Sequence, residues 1–332
     1  MKFKFFVLKL KSLILPSIIC LFIFLLIIFS RDNLSAAKSG LNLWANSVLP
    51  SLLPFFIATE LLGYTNVVSM LGKLLNKLMR PIFNVPGEGT FALLMGMISG
   101  YPVGAKIVAN LKERHLCTSI EAERLLAFTN NSGPLFIVGT VGIGLFYSYS
   151  IGILLFVTHL LSSLTVGFLF RWWGKSKEKI YRTDEYALDT NLSVYNLGEI
   201  LSKSILNSIN TILVIGGFVV LFSIIISMLQ TSHILFIISK IFGIFRIPPY
   251  LSMSLITGFL EVTNGISFLS SLENISIHLQ ITLCSFILGF GGFSVLLQVL
   301  SITSKSKISI KPYFIGKLLQ AFFAAFYTYL II

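Results

Sequence analysis

The sequence predicts an all-α, polytopic membrane protein made of two inverted repeats that contain broken or re-entrant helices. Three observations carry this expectation. Of 332 residues, 55% are hydrophobic and only 11% charged, with mean hydropathy +0.89, against about 25% charged in a soluble domain. The charges also cluster, leaving uncharged runs at 12–30, 39–59, 89–105, 125–170, 204–239 and 274–304. A bilayer span needs about 20 mostly apolar residues, so the 46-residue run at 125–170 can hold two. Finally, several runs are interrupted by short polar or glycine-rich breaks, and these recur in the same order in both halves.

Taken in order, residues 1–40 read as an N-terminal transmembrane helix and connector. Lys2, Lys4, Lys9 and Lys11 precede the apolar stretch Leu13–Phe29, which is longer than the usual core of a signal peptide. The expectation is a retained helix whose N-terminus is cytoplasmic. Residues 41–170 form the first repeat. It holds a span from Leu41 to Gly63 containing Pro50 and Pro54, then a basic amphipathic stretch Leu71–Arg80 that suits a membrane surface. Thr90–Leu111 follows, broken at Ser99–Gly104. Lys112–Arg124 carries seven charges, counting His115, and reads as an exposed helix or loop. Leu125–Phe170 is broken early, at Asn130–Pro134.

Residues 171–203, with eleven charged side chains, read as a polar linker. Residues 204–332 form the second repeat, with apolar runs Ser204–Gln230 and His233–Phe245. Leu251–Leu272 is broken at Glu261–Gly265, Ile275–Ile302 is broken at Gly289–Ser294, and the last span is Tyr313–Ile332. A shift of about 161 residues superposes the halves: Asn46-Ser47 falls on Asn207-Ser208, Gly96 near Gly258, and Asn130-Asn131 on Gly291-Gly292. Discontinuous helices at matching positions of inverted halves point to a transporter site at the midplane.

The breaks also carry a family resemblance. Ser99-Gly100-Tyr101-Pro102-Val103-Gly104-Ala105-Lys106, Glu121-Ala122-Glu123-Arg124 and Asn130-Asn131-Ser132-Gly133-Pro134 form a first block. Glu261-Val262-Thr263-Asn264-Gly265, Gly289-Phe290-Gly291-Gly292-Phe293-Ser294 and Gln298 form a second. Together they resemble the YlbJ-type sporulation integral membrane proteins, whose two nucleoside-recognition "gate" domains are similar in architecture to concentrative nucleoside transporters. The resemblance implies a role in sporulation. It implies movement of dipicolinic acid from the mother cell towards the forespore, in the outer forespore membrane. The glycine-rich block here has no charged residue, so any cation-binding acid of the family must lie elsewhere.

A broken span leaves backbone groups that only protein or a watery cavity can satisfy, and each restarted half-helix aims free N–H groups and a positive dipole end into that cavity. Such ends receive carboxylates. At the first break Ser132 can cap and Pro134 suits the first turn, with Gly133 between them. At the second, Gly291 and Gly292 allow close backbone approach and Ser294 adds a hydroxyl; close helix packing is the alternative use of these glycines. Lys106 can offer a cation to an anionic substrate or snorkel to the interface. Glu261, beside Thr263 and Asn264, can hold a coupling ion, H⁺ or Na⁺, or pair structurally. Asn130, Asn131 and Gln298 can bond ring nitrogens and carboxylates, or bond between helices. The expected ligand is a small anionic aromatic metabolite held between Ser132–Pro134 and Gly291–Ser294, with a nucleoside as runner-up and a non-transporting scaffold as the other class.

Other chemistry finds little support. There is no Gly-x-Ser-x-Gly, no His-Glu-x-x-His and no phosphate loop, so an enzyme is not expected, nor any cofactor. Cys20, Cys117 and Cys284 are far apart and the four histidines are scattered, so no metal site is expected. The net charge of +12 is spread in short groups between apolar runs, which fits membrane topology and the lipid bilayer as partner rather than nucleic acid. A homo-oligomer stays open.

Overall fold

The computed structural model describes residues 2–65, 67–174, 196–273 and 275–332. Most of the expected linker, residues 175–195, lies outside them. The described chain is helical, with no strand among the described residues, as apolar spans require when every backbone group must be bonded internally.

In the first half, α1 spans Lys2–Ile28 and α2 Ser30–Leu43. A π-helical turn, Trp44–Val48, joins α2 to α3, Leu49–Gly63. The expected connector before residue 41 is therefore itself helical, begun by Asp32 in its first turn, where an acid suits the dipole. Next come the amphipathic α4 (Val67–Phe83), α5 (Gly89–Ile98), α6 (Val103–Glu113) and α7 (Ser119–Thr129). A π-helical segment, Leu135–Leu145, precedes α8 (Tyr149–Phe170). The second half repeats this order: α9 (Leu197–Thr231), the short α10 (Ile234–Phe242), α11 (Pro249–Leu260), α12 (Val262–Ser270), α13 (Ile277–Phe290), α14 (Gly292–Thr303) and α15 (Lys311–Ile331). Among the described residues, five helices are long and apolar enough to cross a membrane: Ser30–Gly63, Tyr149–Phe170, Leu197–Thr231, Ile277–Thr303 and Lys311–Ile331.

α5 packs on α6 and α11 on α12, so each pair folds back as a re-entrant hairpin. Close approach is built into the sequence. A Cβ on Gly96 would lie 3.2 Å from the Gly104 Cα, and one on Gly265 only 2.1 Å from the Gly258 Cα. α7 and Leu135–Leu145, like α13 and α14, share no such interface and act as broken spans. Each half thus holds two unbroken spans, one broken span and one hairpin that does not cross. Three crossings is an odd number, so consecutive halves run in opposite senses.

The contacts agree. The long spans of the two halves lie antiparallel. Gly40 faces Val220 and Ser223, Trp44 Nε1 donates to Ile212 O (3.0 Å), and Asn207 Nδ2 donates to Glu60 Oε2 (3.3 Å). Residue numbers rise along one helix as they fall along the other. The last spans, α8 and α15, pack together with His159 against Gln320 (3.4 Å), residues 161 apart. Equivalent positions touch there, so a twofold axis passes between them.

The stretch Lys112–Arg124 is exposed, as its charge suggests, only at Glu113–His115. A capping box between Thr118 and Glu121 starts α7, and both Glu121 and Arg124 are buried. Arg80 pairs with Glu121. Arg124 donates to the carbonyls of Asn84 (2.7 Å), Trp173 (2.9 Å) and Gly174 (2.9 Å). The polar face of this segment is spent on tying α7 to the turns after α4 and α8.

Candidate functional site

Four interruptions converge on one cavity. The first hairpin tip contributes Gly100 and Tyr101, and the first broken span Ser132 and Gly133. The second tip contributes Glu261 and Thr263, and the restart of the second broken span Ser294 and Gln298. Val48, Ser51 and Leu52, with Ile215 and Val219 of α9, close the sides. The halves build it alike, with each tip seated on the break of its own half. A Cβ on Gly100, where φ is +85°, would meet the Gly133 nitrogen at 2.9 Å, and one on Gly292, where φ is +82°, would meet the Val262 nitrogen at 3.2 Å. Only glycine supplies both that conformation and that clearance.

The cavity measures about 40 Å³, room for about three waters. Its chemistry is specific. Of the buried polar atoms on its wall, Gln298 Oε1 has no hydrogen-bond partner among the described residues, and Tyr101 Oη and Ser132 Oγ have none there but each other. Such atoms are costly in a dry interior, so water or a ligand satisfies them. Glu261 is the one acid among the lining residues, and no Lys, Arg or His lines the cavity. It is 2% exposed and occupies the break itself, in extended conformation between α11 and α12, where Oε2 accepts from the Asn264 N–H (2.7 Å). The carboxylate therefore caps α12, and the dipole of that helix supports its charge.

Of the residues singled out from the sequence, Ser132, Gly133, Glu261, Thr263, Ser294 and Gln298 meet here. The others do not line the cavity. Lys106 pairs with Glu60 and reaches Thr211 Oγ1 at 3.4 Å, so its charge is already matched. Asn130 donates to Tyr313 Oη (3.0 Å) and accepts from the Ala105 N–H (3.4 Å). Asn131 donates to Phe128 O (2.7 Å) and accepts from Gln320 Nε2 (2.8 Å). Both asparagines thus take the bonding role between and within helices. Asn264 turns its side chain to Ser223 Oγ (3.2 Å). Gly291, at φ +81°, makes the turn into α14 rather than a wall of the cavity, and Gly292 seats the second tip. Ser132 does not cap the helix that follows, which has Pro134 at its cap position; its hydroxyl is left for the cavity.

Behind the first break lies a polar chain that sequence reasoning passed over. The Ser132 N–H donates to His159 Nε2 (3.2 Å). His159 meets Gln320, and Lys317 Nζ donates to Gln320 Oε1 (2.8 Å). Lys317 is 2% exposed, with no acid within ion-pair reach among the described residues. The signal was in the sequence: Lys317 is a charge inside the apolar span Tyr313–Ile332, and His159 interrupts the long uncharged run.

Residues 45–146, the first tip and the first break included, match the family described as "Gate: Nucleoside recognition". The chain is 40% identical over 340 aligned positions to the sporulation integral membrane protein YlbJ of Bacillus subtilis (strain 168), covering 97% of this chain and 83% of that one. No solved structure matches.

Proposed function

Because the chain belongs to the YlbJ-type family of sporulation integral membrane proteins, we propose that it is a secondary transporter that moves a small anionic aromatic metabolite during sporulation. Dipicolinic acid, carried from the mother cell towards the forespore across the outer forespore membrane, is the substrate we assign. The observation that carries this reading is the cavity itself. A lone buried carboxylate stands with the buried polar atoms of Tyr101, Ser132 and Gln298 at the junction of two hairpin tips and two broken spans.

Glu261 then supplies the coupling. An anion cannot share a low-dielectric site with an uncompensated carboxylate. With a proton or Na⁺ on Glu261, the repulsion vanishes and the helix starts at Leu135 and Gly292 attract the anion. Substrate and cation each favour the other's binding, which is the linkage that cotransport requires. Ligand pockets usually measure about 300–1,000 Å³, so a ring with two carboxylates requires the tips to part from the breaks. The seats at Gly100–Gly133 and Val262–Gly292 are where they would separate. The positive-inside rule orients the bundle. Lys73, Lys77, Lys112, Lys305 and Lys307 gather at the end where α3 finishes and α9 starts, a grouping held by Ser306 Oγ on Glu113 (2.7 Å). We place that end in the cytoplasm of the mother cell.

A nucleoside is the second reading. It is favoured by the family description of residues 45–146 and by the neutral character of Tyr101, Ser132 and Gln298. Proteoliposomes holding this protein alone decide between them. Labelled dipicolinate should accumulate when a Na⁺ or proton gradient is imposed and not without one. Glu261→Gln should abolish the gradient dependence while the protein stays inserted and folded. Uridine uptake without dipicolinate uptake would replace the substrate, and no flux of either would return the protein to the scaffold class.

A further inference from the structure

Glu261 is buried between helix ends, so a cation needs a way to reach it. A separate groove of about 370 Å³ lies between α2, α9, α11 and α12. Nine of its twelve lining residues are polar, a surface that hydrocarbon cannot solvate and that water must fill. Asp32, Ser35 and Ser39 form its outer wall against Ser227 and Gln230. Its inner end is Thr257 and Asn264, the residues one turn before and after Glu261. The Glu261 N–H donates to Thr257 O (2.8 Å), and the Asn264 N–H holds the carboxylate. Since Glu261 itself lines the cavity, it stands in the wall between cavity and groove. Thr257 lines the groove, and its buried hydroxyl has no partner among the described residues, an oxygen left over for water or a cation. The side-chain bond from Asn264 to Ser223 completes the partition.

We infer that this groove is the aqueous route by which a small monovalent cation reaches Glu261, from the end of the bundle that carries Asp32. An acid stands at the mouth, another at the inner wall, and no cationic side chain lines the path between them. At the opposite end Glu60 and Lys106 are paired and bonded to Asn207 and Thr211 of α9, which ties the long spans together there. The groove thus offers access from the side of Asp32. The inference rests on Glu261 being the coupling group of the proposed transporter, not on the identity of the substrate.

The test is the reactivity of engineered thiols in a background with Cys20, Cys117 and Cys284 replaced. Thr257→Cys and, as a shallower position less able to disturb folding, Ser227→Cys are exposed to membrane-impermeant methanethiosulfonates of either charge, applied to one side of proteoliposomes at a time. Both thiols should react only from the side opposite the basic end. The cationic reagent should be favoured over the anionic one by about tenfold relative to a simple thiol, and Asp32→Asn should reduce that preference several-fold. Silence at both positions in folded protein, reaction from the basic end, or equal rates for the two charges would overturn the route. Labelling needs no substrate, so the expected pattern without dipicolinate flux would leave the route standing and reject the substrate.

Discussion

At the scale of residues, partners decide what a buried charge is worth. Arg124 satisfies three carbonyls, and Arg124→Met would strand them, at about 1 kcal/mol each. A clear fall in melting temperature in detergent is expected. Lys317 meets one amide oxygen and the ring of Tyr313. Lys317→Met removes the cost of burying an unpaired ammonium and should leave the melting temperature unchanged or higher; a large fall would make Lys317 a structural anchor. Glu261 was legible in the sequence because it stands alone in an uncharged run, and the structure gives it the central position. Lys106 was equally visible, but its partner Glu60 is 46 residues away, and nothing in a linear pattern reports such a pairing. The same blindness applies to Asn130 and Asn131, whose partners Tyr313 and Gln320 lie in the other half of the chain.

At the scale of elements, breaks and periodicity were readable because glycine, proline and polar clusters interrupt apolar runs directly. Helix ends in polar sequence were less readable. Ser30–Gly40 continues as helix because Asp32 and Asn33 serve its start; the Asn33 amide bonds back to the Leu25 carbonyl at 3.2 Å. The fold of each hairpin is tested by its glycines. A Cβ on Gly96 would fall 1.8 Å from Thr129 O, with backbone atoms on both sides, whereas one on Gly217 meets nothing within 4 Å. Gly96→Ala should sharply reduce the yield of monodisperse protein. Gly217→Ala, mid-helix in α9, should raise stability by up to about 1 kcal/mol. Equal behaviour of the two variants would mean that the hairpin does not pack as described.

At the scale of the whole molecule, inversion has a sidedness that can be measured. His115, in the turn between α6 and α7, and Tyr149, at the start of α8, are exposed at opposite ends of the broken span. Single cysteines at these positions should be labelled from opposite faces of the membrane, His115→Cys from the cytoplasmic face. Labelling of both from one face would refute three crossings per half. The axis between α8 and α15 has a consequence of another kind. In a dimer of two identical half-length chains, a residue on the axis meets its own copy. Two imidazoles or two primary amides must then share one bond, with the donor and acceptor roles assigned by chance. Joining the halves into one chain lifts that constraint. Position 159 is now histidine and position 320 glutamine, and the amide also donates to Asn131 on one side only. A single chain that carries both halves thus leaves the centre free to be directional, which an obligate dimer of identical halves could not do.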